Sequence, residues 1–281
     1  MRTAVIATFS TILLAALVLA TGQCTAQDWV RTTPHNGDFV LADASGAATL
    51  VIDDRDAKVV HIAARDLAAD IDSVTGRRPA LGSQPARTAV IIGTLGRNAL
   101  IDRIAASGQL PLAQLHGAWE SFVIATVDRP APGVDRALVI AGSDPRGTAF
   151  GAYELAQAIG VSPWNWWSDV RPVRKDALYI AGGQRRFGPP SVKYRGIFIN
   201  DEDWGMHRWA SKTFEKANGG IGPKTYEKVY ELLLRLKANA LWPAMHPPST
   251  PCRCCATSAP RATRPSRWRN RWPAPHCAVR R

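Results

Sequence analysis

Residues Val192–Met245 read VKYRGIFINDEDWGMHRWASKTFEKANGGIGPKTYEKVYELLLRLKANALWPAM, and they decide the fold. An apolar run, Tyr194 to Ile199, stops abruptly at Asn200-Asp201-Glu202-Asp203-Trp204. A helix is expected over Pro223 to Ala238. Proline is favoured in a first turn, and Tyr226, Val229, Tyr230, Leu233 and Leu236 keep helical spacing. A second apolar run, Ala240 to Met245, leads to His246. Strand, helix, strand is one βαβ unit, which implies a parallel sheet. In closed α/β barrels chemistry sits where strands run into βα loops. Here that place carries three consecutive acids between Asn200 and Trp204.

The segments YRGIFINDEDWG, IGPKTYEKVYELLLRLKAN and LWPAMH resemble the start of the catalytic barrel of glycoside hydrolase family 115. The resemblance runs from about Asp38 to Pro247 and includes that family's N-terminal domain. It implies an inverting α-glucuronidase that removes glucuronic acid, or its 4-O-methyl form, from xylan. The fold it implies is α/β: an N-terminal accessory domain, then the first β-α-β portion of a truncated (β/α)8 TIM barrel. The implied partner is xylan or a xylo-oligosaccharide, with no nucleic acid, membrane, cofactor or metal. A homodimer stays open for the full-length form.

An inverting glycosidase needs one carboxyl to protonate the leaving oxygen and another to activate water. Asp201 and Glu202 are the expected catalytic pair, although neighbours on an extended segment point to opposite sides. Asn200 and Asp203 are expected to bind sugar hydroxyls, Trp204 and Trp242 to offer stacking walls, and His246 to meet the substrate carboxylate when protonated. The plain alternative for the acids is a solvated loop, and for Trp242 a core position. Met245 is expected to pack, and His207, Arg208 and Lys212 to lie solvated in a long loop. No arginine is clearly placed for a uronate carboxylate.

Outward from this stretch, residues 27–183 read as an α/β accessory domain. Strands are expected at Phe39-Val40-Leu41, Thr49 to Ile52, Ala89 to Gly93, Phe122 to Val127 and Ala137 to Ala141. Val60, Ala63, Leu67, Ile71 and Val74 mark one helix face, with Gly76 as C-cap. Further helices are expected over Asn98 to Ala106 and Arg146 to Ile159, the latter capped by Ser143 or Asp144. Gly93-Thr94-Leu95-Gly96 lacks the dinucleotide fingerprint and the Walker lysine, so it reads as a plain turn. Trp164, Trp166 and Trp167 read as cement between accessory domain and barrel, with sugar stacking as the alternative. Gly142-Ser143-Asp144, Arg146-Gly147-Thr148 and Trp166-Trp167 match a pattern of the resembled family, which brings one of them toward the sugar site. Residues 184–191 read as a linker, and 192–250 as the barrel start.

The two ends differ from the body. Residues 1–26 read as a cleaved secretory signal peptide, with Arg2 before the apolar run Phe9–Ala20, which places the mature protein outside the cytoplasm. A lipid anchor on Cys24 is disfavoured by the bulky Gln23. Residues 251–281 hold eight arginines and no acid, two thirds of the net charge of +12. They also hold four of the five cysteines, and the body from Gln27 to Thr250 has none. The basicity therefore describes the tail, and no disulfide framework supports the body. With almost nothing to bury, the tail reads as a frameshifted product rather than a nucleic-acid arm using Trp268 and Trp272. Cys252, Cys254, Cys255, His276 and Cys277 match no closed zinc pattern. Other function classes are a family 67 glucuronidase, a hexosaminidase, or a non-enzymatic carbohydrate-binding module.

Overall fold

Strand β6 (Thr88–Thr94) shows how the first sheet is built. Val90 and Ile92 face one side of it, Ala89 and Ile91 the other, and all four are fully buried. A strand covered on both faces reads as a continuous apolar run, as parallel strands between helices do. The structure is a computed structural model and describes residues 29–84, 86–200 and 205–245. The expected signal peptide, Asp201–Trp204, His246 and the basic tail with its cysteines and Trp268 and Trp272 lie outside the described residues.

The strands in chain order are β1 (Val30–Arg31), β2 (Phe39–Asp43), β3 (Gly46–Ala47), β4 (Thr49–Ile52), β5 (Leu81–Gly82), then β6, β7 (Phe122–Asp128), β8 (Arg136–Gly142), β9 (Leu178–Ile180), β10 (Gln184–Phe187), β11 (Gly196–Phe198) and β12 (Ala240–Trp242). The helices are α1 (Lys58–Thr75), α2 (Ala99–Ala106), α3 (Pro145–Ala158), α4 (Gly205–Trp209) and α5 (Pro223–Arg235). The main sheet has the order β10-β7-β8-β6-β4-β5, with β8, β6, β4 and β5 parallel, β7 antiparallel to β8, and β10 antiparallel to β7. Helices α1 and α3 cover one face and α2 the other. A smaller sheet, β1-β9-β2-β3, flanks it.

Local chemistry sets the helix ends. The expected face of α1 is fully buried, and Gly76, at φ 72°, closes the helix through its N–H to the Asp72 carbonyl. Asn98 caps α2 by accepting from the amides of Leu100 and Ile101. Asp144, rather than Ser143, caps α3 by accepting from the Gly147 amide at 2.8 Å. The Gly93–Gly96 turn binds its own chain, because the Gly96 amide donates to Asp102 at 2.7 Å.

The βαβ unit forms as expected, with shorter elements. β11 and β12 pair in parallel, Gly196 with Ala240 and Phe198 with Trp242. β12 stops at Trp242 because Pro243 has no N–H to add to the ladder. α5 stops at Arg235, and Lys237 turns the chain left-handed at φ 55°. Leu236, expected on the buried face, is therefore a C-cap and 38% exposed. Glu215 caps the other end of α5 by accepting from the amides of Lys224 and Thr225. The third apolar cluster gathers Ile199, Ala210, Ile221, Tyr226, Val229 and Leu233.

Two expectations are corrected. Gln184–Phe187, assigned to a linker, is edge strand β10, and Phe187 stacks on Phe122 at 4.7 Å. Residues His207, Arg208 and Lys212, assigned to a long loop, lie in α4 and the following wide helical turn Ala210–Phe214. Among the described residues no helix is long and apolar enough to cross a membrane.

Candidate active site

Parallel pairing puts the carboxyl ends of β11 and β12 at one edge. Alternation then sorts their side chains. Ile197 and Leu241 turn toward α5 and the third core. Phe198 and Trp242 stand opposite each other on the other face, with ring centroids 6.3 Å apart in an edge-to-face pair. They are 57% and 55% exposed, so Trp242 is not a core residue. Asn200 lies exposed just past the last rung, where the Ile199 amide donates to the Trp242 carbonyl at 2.8 Å. Beyond β12, the Ala244 amide donates to the Tyr226 hydroxyl at 3.1 Å, which fixes the departing chain. Met245, expected to pack, is 52% exposed. The structure thus brings Asn200 and Trp242 to one edge. Asp201, Glu202, Asp203, Trp204 and His246 lie outside the described residues.

A cleft of about 810 Å³ shares Trp167, Met206 and Trp209 with the third core, which also holds Ile199 and Ala244. Its walls come from the segment after α3 and from α4, whose first residue, Gly205, directly follows Trp204 in sequence. The two sides meet through aromatic rings. Trp166 and Trp167 cross edge-to-face at 4.9 Å, and Trp209 stacks on Phe214 at 4.8 Å. Trp166 lies 5.2 Å from Phe214 and 5.8 Å from Trp209. The Trp167 indole N–H donates to the Lys228 carbonyl at 3.3 Å, and the Lys228 ammonium sits 5.4 Å from the Trp166 ring. Of the three indoles expected to act as cement, Trp166 and Trp167 do contact the segment that follows β11 and also line the cleft, whereas Trp164 is 44% exposed. Asp169 and Arg171 supply its charged side chains. The sequence reading missed Trp209 and Arg171. Helical contacts that join residues 205–214 to 166–171 leave no local periodic signal.

The opposite, amino end of β11 and β12 is tied down by a buried carboxylate. Glu120 is fully buried and pairs with Arg146 at 2.8 Å and with Arg195 at 2.5 Å. It also accepts from the Asn239 amide group at 2.9 Å. Arg195 immediately precedes β11 and Asn239 immediately precedes β12. Arg146 therefore helps anchor the amino end of the βαβ unit through Glu120. Within the Gly142–Thr148 pattern, Gly147 lies so close to Ser121 that a Cβ there would meet its carbonyl oxygen.

A second tie runs along α5. Arg235 donates to Asp70 of α1, stacks 5.0 Å over Tyr153 of α3, and pairs with Glu231 at 3.0 Å. The Tyr153 hydroxyl donates to Asp66 at 2.5 Å. Burial pushes the Tyr153 phenol well above its ordinary range, so it stays a donor. Burial also raises the Asp66 and Asp70 carboxyls, against the pull of Tyr153 on the first and Arg235 on the second.

The sequence model of glycosyl hydrolase family 115 matches residues 187–257, which contain the βαβ unit. Among solved structures, the chain is similar to a family 115 4-O-methyl-α-glucuronidase with specificity for decorated arabinogalactans. The two are 37% identical with a TM-score of 0.66, over 76% of this chain and 27% of that one. A Streptomyces plicatus β-hexosaminidase matches at 14% identity and a TM-score of 0.42, over 74% of this chain and 31% of that one. A Flavobacterium johnsoniae chitobiase matches at 14% identity and a TM-score of 0.40, over 75% and 25%. No curated protein matches. The family match and the 37% identical relative put the chain among the glycoside hydrolases. Within them it belongs to family 115. It spans about a quarter of the length of that 4-O-methyl-α-glucuronidase.

Proposed function

We propose that this chain is the N-terminal portion of an inverting α-glucuronidase that releases glucuronic acid, or its 4-O-methyl form, from xylan outside the cytoplasm. The observation that carries the reading is the indole-walled cleft lined by Gly205, which follows the run Asp201-Glu202-Asp203-Trp204 in sequence. Indole faces pack against the apolar C–H faces of a pyranose, and the carboxyls just before Trp204 in sequence supply the chemistry in this reading. One of Asp201 and Glu202 donates a proton to the leaving oxygen. A second carboxyl, at roughly 6.5–9.5 Å in inverting enzymes, draws a proton from the attacking water. Asn200, Asp203, Trp204, Trp242 and His246 complete the sugar contacts in this reading.

The barrel start at residues 192–250 belongs to the proposal. Among the described residues β11 and β12 have one strand neighbour each, and a (β/α)8 barrel closes only with eight. Turnover is therefore expected from a polypeptide that carries the remaining strands, and not from the 281 residues alone. The test is glucuronic acid release from glucuronoxylan by such a longer form, with Asp201→Asn and Glu202→Gln beside it. Product anomers followed by NMR report inversion. Full activity in both variants would remove these residues from the mechanism.

The specificity of the 37% identical relative for decorated arabinogalactans favours a second backbone. Parallel assays on glucuronoxylan and on glucuronidated arabinogalactan separate the two.

A further inference from the structure

We propose that Arg171, on the segment that leaves the accessory half, binds the carboxylate of an acidic sugar in the indole-walled cleft. The proposal deepens the glucuronidase reading and rests on it. Arg171 is the one basic side chain lining the cleft among the described residues. It is exposed, and no described residue pairs with it. The other arginines near the two junctions are committed: Arg146 and Arg195 to Glu120, and Arg235 to Asp70 and Glu231. A free guanidinium presents a planar fork of donors that matches a carboxylate in two parallel hydrogen bonds.

The backbone sets the direction in which the Arg171 side chain departs. Pro172 follows Arg171 and restricts it to extended conformations. Asp169, two residues earlier, turns left-handed at φ 52° and also lines the cleft. The pair discriminates among anions. A simple anion meets attraction from Arg171 and repulsion from Asp169. A uronic acid offers its carboxylate to the guanidinium and its hydroxyl donors to the Asp169 carboxylate, while Trp166 and Trp209 face its ring. The specificity element thus comes from the accessory half, not from the strand ends.

The cleft indoles give the readout, because a sugar on them changes tryptophan fluorescence. The full 281-residue chain is titrated with glucuronic acid and with glucose, its neutral counterpart. The expected result is binding of both, with glucuronic acid favoured by about tenfold, the worth of one charge-assisted pair. Arg171→Gln is expected to bring glucuronic acid down to the glucose level and leave glucose unchanged. Arg171→Lys is expected to keep part of the preference. An undiminished preference in Arg171→Gln, or equal affinity in the parent chain, overturns the role of Arg171 and leaves the cleft as a sugar site. Failure of both sugars to bind overturns the cleft reading itself, and the inference with it. Arg171 is exposed, so neither substitution disturbs a core.

Discussion

Arg235 near the end of α5 and Asp70 near the end of α1 form a two-pronged ion pair, at 2.8 and 3.1 Å, with both side chains 5% exposed. It joins the βαβ unit to the accessory sheet at a point far apart in sequence. Losing one partner leaves the other charge buried and under-satisfied. Asp70→Ala is expected to destabilise the protein by about 3 kcal/mol, the low end for a broken buried pair because Glu231 still holds Arg235. Replacing both, as Asp70→Leu with Arg235→Met, is expected to recover most of that loss. Urea denaturation of the three proteins measures it. A double variant as unstable as the single would refute the assignment.

Glu120 makes the corresponding tie at the amino ends of β11 and β12. Glu120→Gln keeps the shape but removes the charge shared by Arg146 and Arg195. A loss of about 3 kcal/mol is expected. Trypsin should then cleave at Lys193 and Arg195 faster than in the parent chain. Unchanged cleavage there would show that Glu120 does not hold the two halves together.

Asp66 gives a prediction in pH. Burial, with a smaller push from Glu231, raises its carboxyl above the ordinary value of 3.8, against Tyr153, Arg235 and Lys228. A raised acid binds its proton more tightly in the folded state than in the unfolded chain. Its favourable contribution is present below the unfolded value and is lost as pH rises through the folded one. Asp66→Asn removes the buried charge and keeps an acceptor for Tyr153. It is expected to melt above the parent at pH 7, with the gap closing below about pH 4. Melting curves across that range decide it. A gap that widens toward acid would reverse the assignment.

Gly147 sits inside α3, where alanine is normally preferred by about 1 kcal/mol. Here a Cβ would run into the Ser121 backbone carbonyl, which cannot move without shifting β7. Gly147→Ala is therefore expected to destabilise by roughly 1–3 kcal/mol, as overpacking does. Thermal melts check the sign. A stabilised variant would mean that the helix can slide away from the sheet.

Much of this was legible in the chain. The continuous apolar run in Thr88–Thr94 and 3.6-residue spacing in Lys58–Thr75 and Pro223–Arg235 are local properties, because each is set by which faces of one element must leave water. Cap chemistry is equally local, as Asp144 and Gly76 show. So the sequence by itself determined the parallel βαβ unit, the α/β character of the accessory half, and the strand end at which Asn200 and Trp242 meet. Tertiary structure decided what joins these parts. Gln184–Phe187 becomes a strand only because β7 offers an unpaired edge, and its alternation of polar residues carries no such signal. Glu120 is an anchor only because Arg146, Arg195 and Asn239 converge on it from three places in the chain. The cleft needs Trp166 and Trp209 to meet across 43 positions of sequence, and a contact at that separation leaves no periodic trace in either segment.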